Sequence, residues 1–252
     1  MILRDIVFWI LFALLLPQAL WVRKTAARFP AAEGGPKGAI GRGPPAFRLL
    51  AIGDSIIAGV GSRTLDDALV GRAATHLSGQ LDCRVEWTAA GRSGATTGQV
   101  ATRLLPGLES MPADAVLVSA GVNDVISLHG LRRWEKDLRA LLAALASHWP
   151  NAVIAFSGLP PMNHFPALPR PLRALFGLRA RQFDRVLSGV LAEHPRAVHI
   201  PLDFEARPGG FCGDGFHPSE QSYGEFGIMA AGAIVCGLRS DRRAKPGTAD
   251  SA

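Results

Sequence analysis

Cysteine is scarce in this chain, and its few cysteines lack the spacing of a disulfide framework or a zinc site. The 252 residues include three, Cys83, Cys212 and Cys236, with no CxxC pair and no cluster of His and Cys at zinc-ligand spacing. An odd number of widely separated cysteines predicts free thiols. The sequence therefore indicates no metal ion, and it signals no organic cofactor.

A basic surface is also missing from the central part of the chain, although the formal net charge is +6. Residues 1–46 carry six basic and two acidic side chains, and residues 239–252 carry four and two. Of the 27 basic and 21 acidic residues, 17 of each therefore remain in residues 47–238. A nucleic-acid partner requires a net basic face, so this neutral region argues against nucleic-acid binding.

Three common site signatures are absent. The glycine-rich segment 91–98 lacks the Lys-Ser/Thr ending of a P-loop, and its glycine spacing does not match the dinucleotide fingerprint. The Gly-x-Ser-x-Gly signature of the α/β-hydrolases is also absent, which excludes that class. A flavodoxin-like protein that binds a nucleotide through segment 91–98 stays as an alternative interpretation.

The long apolar run of the sequence lies at the N-terminus. Residues 6–22 are apolar except for Pro17 and Gln18, a length at the lower end of the ~17–25 residues that span a bilayer. We interpret residues 1–24 as a membrane anchor, because the sequence after the run offers a poor cleavage site. A cleaved signal, which would make the protein secreted or periplasmic, and a buried core helix are the alternatives. The basic residues after the run favour a cytoplasmic domain, but the membrane side stays open.

After this run the pattern changes to a linker and then to alternating strands and helices. Glycine and proline predict a flexible linker over residues 25–46, and polar composition predicts a disordered tail over residues 239–252. The strands are predicted at 47–52, 83–89, 115–120, 152–156 and 198–202, and the helices at 66–77, 98–108, 131–149, 175–193 and 219–238. This alternation predicts one α/β domain over residues 47–238, with a five-stranded parallel sheet covered on both faces.

Three short blocks lie at or near the ends of predicted strands, where parallel sheets place their sites. They are Gly-Asp-Ser at 53–55, Gly-Val-Asn-Asp at 121–124 and Asp-Gly-Phe-His at 214–217. Ser55 is a candidate nucleophile, but a serine hydroxyl needs a base that takes its proton. Among the seven histidines, His217 is the best candidate, because Asp214 three residues earlier can hold one imidazole nitrogen while the other faces the nucleophile.

Acyl transfer also requires hydrogen-bond donors that stabilise the oxyanion. The glycine-rich turn 91–98 allows a backbone N–H to approach a ligand closely, and Asn123 offers a side-chain N–H. Each of these segments alone is explained equally well as a turn. Their joint presence with the other blocks indicates a serine hydrolase.

The blocks resemble those of the SGNH hydrolases, also called the GDSL family of esterases and lipases, which is named for Ser, Gly, Asn and His. Here these residues correspond to Ser55, Gly94, Asn123 and His217. The resemblance implies that Ser55 is the nucleophile, His217 the base and Asp214 the residue that orients it. It also implies an oxyanion hole made by the N–H groups of Ser55 and Gly94 and by the Asn123 side chain.

The same resemblance implies a flavodoxin-like, three-layer α/β/α sandwich and a serine esterase that forms an acyl-enzyme on Ser55. Ile56 replaces the leucine of Gly-Asp-Ser-Leu, an exchange of apolar residues that leaves the chemistry intact. A cell-envelope carbohydrate deacetylase, a lysophospholipase and a thioesterase are alternatives that the sequence does not separate. A catalytically silent binding module is the alternative outside the enzymes.

The proline-rich loop 159–168 follows the fourth predicted strand and is expected to lie over the site. Met162, His164 and Phe165 are candidates for substrate contact, and apolar side chains there predict small or medium acyl groups. His129, six residues after Asn123, is a further weak candidate. The expected partners are a small-molecule, lipid or carbohydrate ester and, through the N-terminal segment, a membrane. The sequence does not indicate the oligomeric state.

Overall fold

A six-stranded sheet forms the centre of the structure, a computed structural model that describes residues 2–27, 29–202 and 209–244. Its strands are β1 (Lys37–Ile40), β2 (Pro45–Gly53), β3 (Arg84–Gly91), β4 (Ala115–Ser119), β5 (Val153–Ser157) and β6 (Ala197–Ile200). They lie in the order β1-β3-β2-β4-β5-β6, with β1 antiparallel to β3 and the other pairs parallel. Strands β2 to β6 thus have the strand order of flavodoxin-like sheets.

Helices cover both faces of this sheet, which confirms the predicted three-layer α/β/α sandwich. They are α1 (Ile2–Thr25), α2 (Leu69–Leu81), α3 (Thr97–Gln99), α4 (Val122–Ile126), α5 (Leu131–His148), α6 (Leu172–Ala192) and α7 (Glu220–Ala244). Helix α3 continues into a π-helical turn over Val100–Leu104 and a 3-10 turn over Leu105–Gly107, and a second 3-10 turn spans Met162–His164. Helices α2 and α7 pack on one face of the sheet, and α5 and α6 pack on the other.

The apolar strands are explained by burial on both faces of the sheet. In β4, Val116 and Val118 face the core beneath α5 and α6, whereas Ala115 and Leu117 face the core beneath α2 and α7. A strand that is covered on both sides needs an apolar side chain at every position, which produces a continuous apolar run rather than an alternating one.

The segment predicted as a flexible linker contains ordered structure, which corrects both that prediction and the predicted number of strands. Strand β1 pairs with β3 from Lys37 opposite Thr88 to Ile40 opposite Val85. Before it, the Ala32 N–H donates to the Ala58 carbonyl at 3.0 Å. As an edge strand, β1 pairs with one neighbour only and stays partly exposed, so its sequence is not apolar. The apolar pattern that predicted the other strands therefore did not predict β1.

The two ends of the chain also differ from expectation. Helix α1 does not stand apart from the domain, because Phe8 and Phe12 are buried in the core on the α6 side. At the other end α7 runs to Ala244, so residues 239–244 of the predicted tail are helical, while residues 245–252 lie outside the described residues. Helix α4, which carries Asn123, was not predicted as a helix.

Candidate active site

Ser55 lies in a tight turn directly after β2. Gly53 ends that strand so close to β4 that a β-carbon on it would lie 2.0 Å from the Ser119 carbonyl oxygen. The Asp54 N–H donates to the same oxygen at 3.0 Å, and the Val60 N–H donates to the Ser55 carbonyl at 3.0 Å. The turn is therefore fixed on both sides of Ser55, whose side chain lines a cavity at the carboxyl ends of the strands.

The Asp54 side chain stabilises this turn through hydrogen bonds. Its Oδ1 accepts hydrogen bonds from the Ile56 N–H at 3.0 Å and from the Ser119 hydroxyl at 3.1 Å. Burial raises the pKa of this carboxyl group to about 7, against the effect of the two hydrogen bonds, which lower it. Asp54 had no predicted role of its own, and its position indicates that it shapes the turn that presents Ser55.

Ser55, His217 and Asp214 form a continuous chain of hydrogen-bond contacts. His217 Nε2 lies 2.9 Å from Ser55 Oγ, and His217 Nδ1 lies 2.6 Å from Asp214 Oδ2. With a carboxylate at Nδ1, the imidazole carries its proton on that nitrogen and leaves Nε2 free to accept the serine proton. The loop between β6 and α7 thus reaches the end of β2, 162 residues earlier in the sequence.

Asp214 is held as a carboxylate by four donors. Besides His217 Nδ1, its Oδ1 accepts from the backbone N–H groups of Phe216 and His217, at 2.8 and 2.9 Å, and from Cys212 Sγ at 3.1 Å. Burial alone would raise its pKa, but the hydrogen bonds from His217 and Phe216 outweigh burial and lower the pKa of Asp214 below its ordinary value. Burial raises the pKa of the Cys212 thiol to about 11, so this cysteine stays a neutral donor.

Of the expected oxyanion donors, Ser55 and Asn123 line the cavity and Gly94 does not. Asn123 lines the same cavity as Ser55, and its Nδ2 donates one hydrogen to the Ala95 carbonyl at 3.0 Å, which leaves the second hydrogen for a ligand. Gly94 lies next to Ala95 in the exposed turn after β3, with φ of +79° that favours glycine. Within the described residues no group accepts the N–H of Ser55 or of Gly94. Gly94 itself does not line the cavity.

The cavity over Ser55 is small and mainly apolar. Its volume is about 90 Å³, and Phe165 and Phe216 form one wall, with their ring centroids 4.9 Å apart. Of the three predicted substrate contacts, the structure places only Phe165 in this wall. Met162 is completely buried in the core on the α6 side, and His164 does not line the cavity either. The 3-10 turn Met162–His164 packs against α6, which turns these side chains away from the site.

A second polar cluster lies around Asp124, the residue that follows Asn123. The buried carboxylate of Asp124 accepts from the Thr97 N–H at 2.9 Å and the Thr97 hydroxyl at 3.0 Å, and lies 2.9 Å from His129 Nδ1. Burial raises the pKa of Asp124, and the bonds from Thr97 and His129 oppose that rise. Asp124, His129 and Asp137 hold ligand atoms within 4.8 Å of one another, but hydrogen bonds already occupy the Asp124 carboxylate. In the sequence, the Asn-Asp pair at 123–124 and His129, a weak candidate for substrate contact, were the signals of this cluster.

A flavodoxin-like sheet that brings a serine, a histidine and an aspartate into hydrogen-bond contact at its carboxyl end has the arrangement of a serine hydrolase. Comparison with known sequences agrees with this class. The pattern of the GDSL-like lipase/acylhydrolase family matches residues 51–224, which include all three blocks. The chain belongs to this family, whose members hydrolyse ester bonds.

Individual relatives agree with this assignment. A GDSL-like esterase of Mycobacterium tuberculosis is 27% identical over 202 residues, which cover 76% of this chain but only 61% of that relative. The psychrotrophic esterase EstA of a Pseudoalteromonas species has the same fold, with a TM-score of 0.61 and 19% identity over 77% of this chain and all of that one. A family 3 carbohydrate esterase of Clostridium thermocellum matches with a TM-score of 0.59 and 18% identity, over 77% and 98% of the two chains.

Proposed function

We propose that this protein is a serine esterase that hydrolyses carboxylic esters through an acyl-enzyme on Ser55. The observation that carries the proposal is the contact chain from Ser55 Oγ through His217 to Asp214. Among the seven histidines of the chain, His217 is the one in contact with the serine at the cavity. Family membership supports the reaction class, and the geometry supports these residues as its machinery.

In the first half of the reaction, Ser55 Oγ attacks the ester carbonyl carbon while His217 Nε2 takes the serine proton. The carbonyl π electrons move to the oxygen, which becomes an oxyanion. When the intermediate collapses, the bond to the alcohol oxygen breaks and His217 returns the proton to the leaving alcohol. In the second half, water attacks the acyl-enzyme with the same help from His217, which releases the carboxylic acid and restores Ser55.

The oxyanion requires donors that already point at it before the reaction begins. We propose the backbone N–H groups of Ser55 and Gly94 and the Asn123 side chain for this role. Asn123 is the best supported of the three, because Ala95 fixes its amide with one hydrogen and leaves the other free toward the cavity.

The apolar cavity supports an ester with a small or medium acyl group. A volume of about 90 Å³ corresponds to roughly three water molecules at the ~30 Å³ that each occupies in the liquid, which suits a short chain better than a long one. Phe165, Phe211 and Phe216 supply the apolar surface, and Gln221 and Ser222 add polar groups at its edge. The same machinery serves carbohydrate deacetylases, lysophospholipases and thioesterases, so the substrate assay must include these classes.

The decisive experiment compares the full chain with its Ser55→Ala variant on p-nitrophenyl esters from acetyl to palmitoyl, on acetylated sugars, on lysophospholipid and on acyl thioesters. We expect activity that is highest with short acyl chains and that the variant lacks. A fluorophosphonate should lose fluoride to the attack of Ser55 Oγ and leave its phosphonyl group on Ser55 alone, which mass spectrometry detects. Equal rates in both proteins, with every substrate, would contradict the esterase and favour a silent binding module.

We also propose that α1 attaches the enzyme to a membrane. The stretch Val7–Thr25 is long and apolar enough to cross a bilayer, and its last turn carries the basic residues Arg23 and Lys24. The inner face of α1 packs on α6, but Ile10, Leu14 and Trp21 are exposed on its outer face. Large apolar side chains beside basic ones fit a surface of anionic lipid.

Flotation with vesicles that contain anionic lipid tests this attachment. Leu14→Glu should reduce the fraction of protein that floats with the vesicles. Ile228→Glu is the matched control, because Ile228 is similarly exposed but lies on α7, which packs on the opposite face of the sheet. Equal flotation of Leu14→Glu and the control would contradict the role of α1, whatever the outcome of the esterase assay.

A further inference from the structure

Arg179 in α6 is a buried charge whose partner comes from the N-terminal helix. Its side chain is only 1% exposed and lies between the rings of Phe8 and Phe183, 4.5 and 5.2 Å from their centroids. Its Nη1 is paired with the carboxylate of Asp5 in α1, the only acidic partner of Arg179 within the described part of the chain. A buried guanidinium that loses its counter-charge is strongly unfavourable, so this contact ties α1 to the catalytic domain.

The other end of the same guanidinium contacts the segment that follows α4. Arg179 Nη2 donates to the backbone carbonyl of His129 at 3.2 Å. The imidazole of His129 in turn lies 2.9 Å from Asp124, whose other oxygen accepts both hydrogen bonds of Thr97. A line of direct contacts therefore runs from Asp5 through Arg179, His129 and Asp124 to Thr97.

This line ends at the two segments that carry the proposed oxyanion donors. Asp124 directly follows Asn123 in α4, and Thr97 begins α3 directly after the turn that holds Gly94 and Ala95. The two segments are also joined by the hydrogen bond from Asn123 to the Ala95 carbonyl. If Asp124 shifts, the Asn123 amide and the turn after β3 lose their common support, and misplacement of donors by fractions of an ångström slows acyl transfer.

We propose that Asp124, His129 and Arg179 are positioning residues for the oxyanion hole, and that Asp5 completes this chain of contacts, so that the pair of Asp5 in α1 with Arg179 in α6 sets the rate of catalysis. This inference rests on the esterase proposed above. It gives α1 a second role beside membrane attachment, and it predicts that the enzyme is fully active only while Asp5 of α1 is paired with Arg179.

The test uses the full chain and two substitutions that both loosen α1 but affect different contacts. Asp5→Asn removes the charge that Arg179 needs. Gln18→Ala removes the other polar contacts between α1 and the region of α6, namely its bonds with the Arg170 carbonyl at 2.9 Å and the Leu172 N–H at 3.1 Å. We expect kcat to fall about tenfold in Asp5→Asn with little change in KM, because donors are misplaced rather than removed.

Two further variants separate positioning from plain stability. Asp5→Glu keeps the charge and should retain most of the wild-type kcat. Val190→Ala, on the buried face of the same helix α6, lowers stability without touching the contact line and should retain the wild-type kcat. A fall in kcat of equal size in Asp5→Asn, Gln18→Ala and Val190→Ala would overturn the proposal, because it would reflect a general loss of structure.

Amide exchange gives a readout that does not depend on activity. The Thr97 N–H donates to Asp124, so its hydrogen-exchange rate reports directly on the far end of the line. In the inactive Ser55→Ala background we expect Asp5→Asn to accelerate exchange at Thr97, and Gln18→Ala to leave it unchanged. Unchanged exchange at Thr97 in Asp5→Asn would overturn the coupling. If no ester is hydrolysed by the wild type, the proposed function fails, while this measurement still decides the coupling.

Discussion

Replacement of Asp214 by asparagine isolates the protonation state of His217 from the shape of the site. Asparagine keeps the size of the side chain and one oxygen, which can still accept the N–H groups of Phe216 and His217. The other oxygen, 2.6 Å from His217 Nδ1, becomes an NH₂ group. A donor at that place favours the imidazole tautomer that carries its proton on Nε2. The protonated Nε2 faces Ser55 Oγ and can no longer accept the serine proton.

The expected loss follows from that wrong tautomer. A wrong tautomer of this kind lowers the kcat of a Ser-His-Asp triad about 10⁴-fold, which corresponds to about 5 kcal/mol of transition-state stabilisation. The steady-state rate on p-nitrophenyl acetate, with KM measured in parallel, provides the assay. We expect KM to change little, because Asp214 does not contact the substrate cavity.

The chain offers a matched control for this substitution. Asp184 Oδ1 lies 3.0 Å from His199 Nε2, so Asp184→Asn alters a second aspartate–histidine pair that does not include the nucleophile. Its kcat should stay close to that of the wild type. A kcat for Asp214→Asn within about tenfold of wild type would refute the assignment of His217 as a base that Asp214 orients.

Three further predictions concern the surroundings of this triad. Asn123→Ala removes one oxyanion donor, so kcat should fall about 10²–10³-fold at nearly constant KM; a smaller fall would mean that the amide only serves the Ala95 carbonyl. Cys212→Ala removes one of four donors to Asp214 and should lower kcat by less than about tenfold, while Cys212→Ser, which keeps a donor, should restore it. Asp54 has a folded-state pKa near 7, above its ordinary 3.8, so the folded protein holds a proton there that the unfolded chain has lost. Its contribution to stability therefore falls as pH rises from about 4 to about 7, by at most ~1.4 kcal/mol per pH unit. In urea unfolding, the stability of Asp54→Asn relative to wild type should increase through this window and level off above it; a difference independent of pH would contradict the buried, protonated carboxyl.

The contacts among Ser55, His217 and Asp214 could be expected from the sequence because each of these residues is specified locally. Ser55 follows an apolar strand directly, and its exposure at the end of that strand follows from the rule that parallel sheets carry their sites there. Asp214 and His217 lie three residues apart, so one short loop holds both. Only the meeting of this loop with Ser55 is non-local, and the resemblance to a known family supplied that step.

The parts that could not be predicted depend on contacts between distant segments. Strand β1 is polar and short, and only its pairing with β3 makes it a strand. Met162 has the apolar character of a pocket residue, but the same character suits the core beside α6, where the structure places it. Arg179 shows no sign in the sequence that it is buried, because its partner Asp5 lies 174 residues away in a helix that composition alone describes as a membrane segment.

The strand order explains why Ser55 lies between the segments that carry Gly94 and Asn123. Strand β2 lies between β3 and β4 in the sheet. The chain runs from β2 to β3 on one side and then crosses β2 to form β4 on its other side. The segments after β3 and β4 therefore diverge on either side of Ser55, and they carry Gly94 in a turn and Asn123 in α4. We propose that the ester binds in the cavity over Ser55, so a bridge between these two segments must not fill that cavity. Asp124 supplies that bridge from behind by binding Thr97, which is why a change at Asp124 should alter the rate of the reaction more than the binding of the substrate.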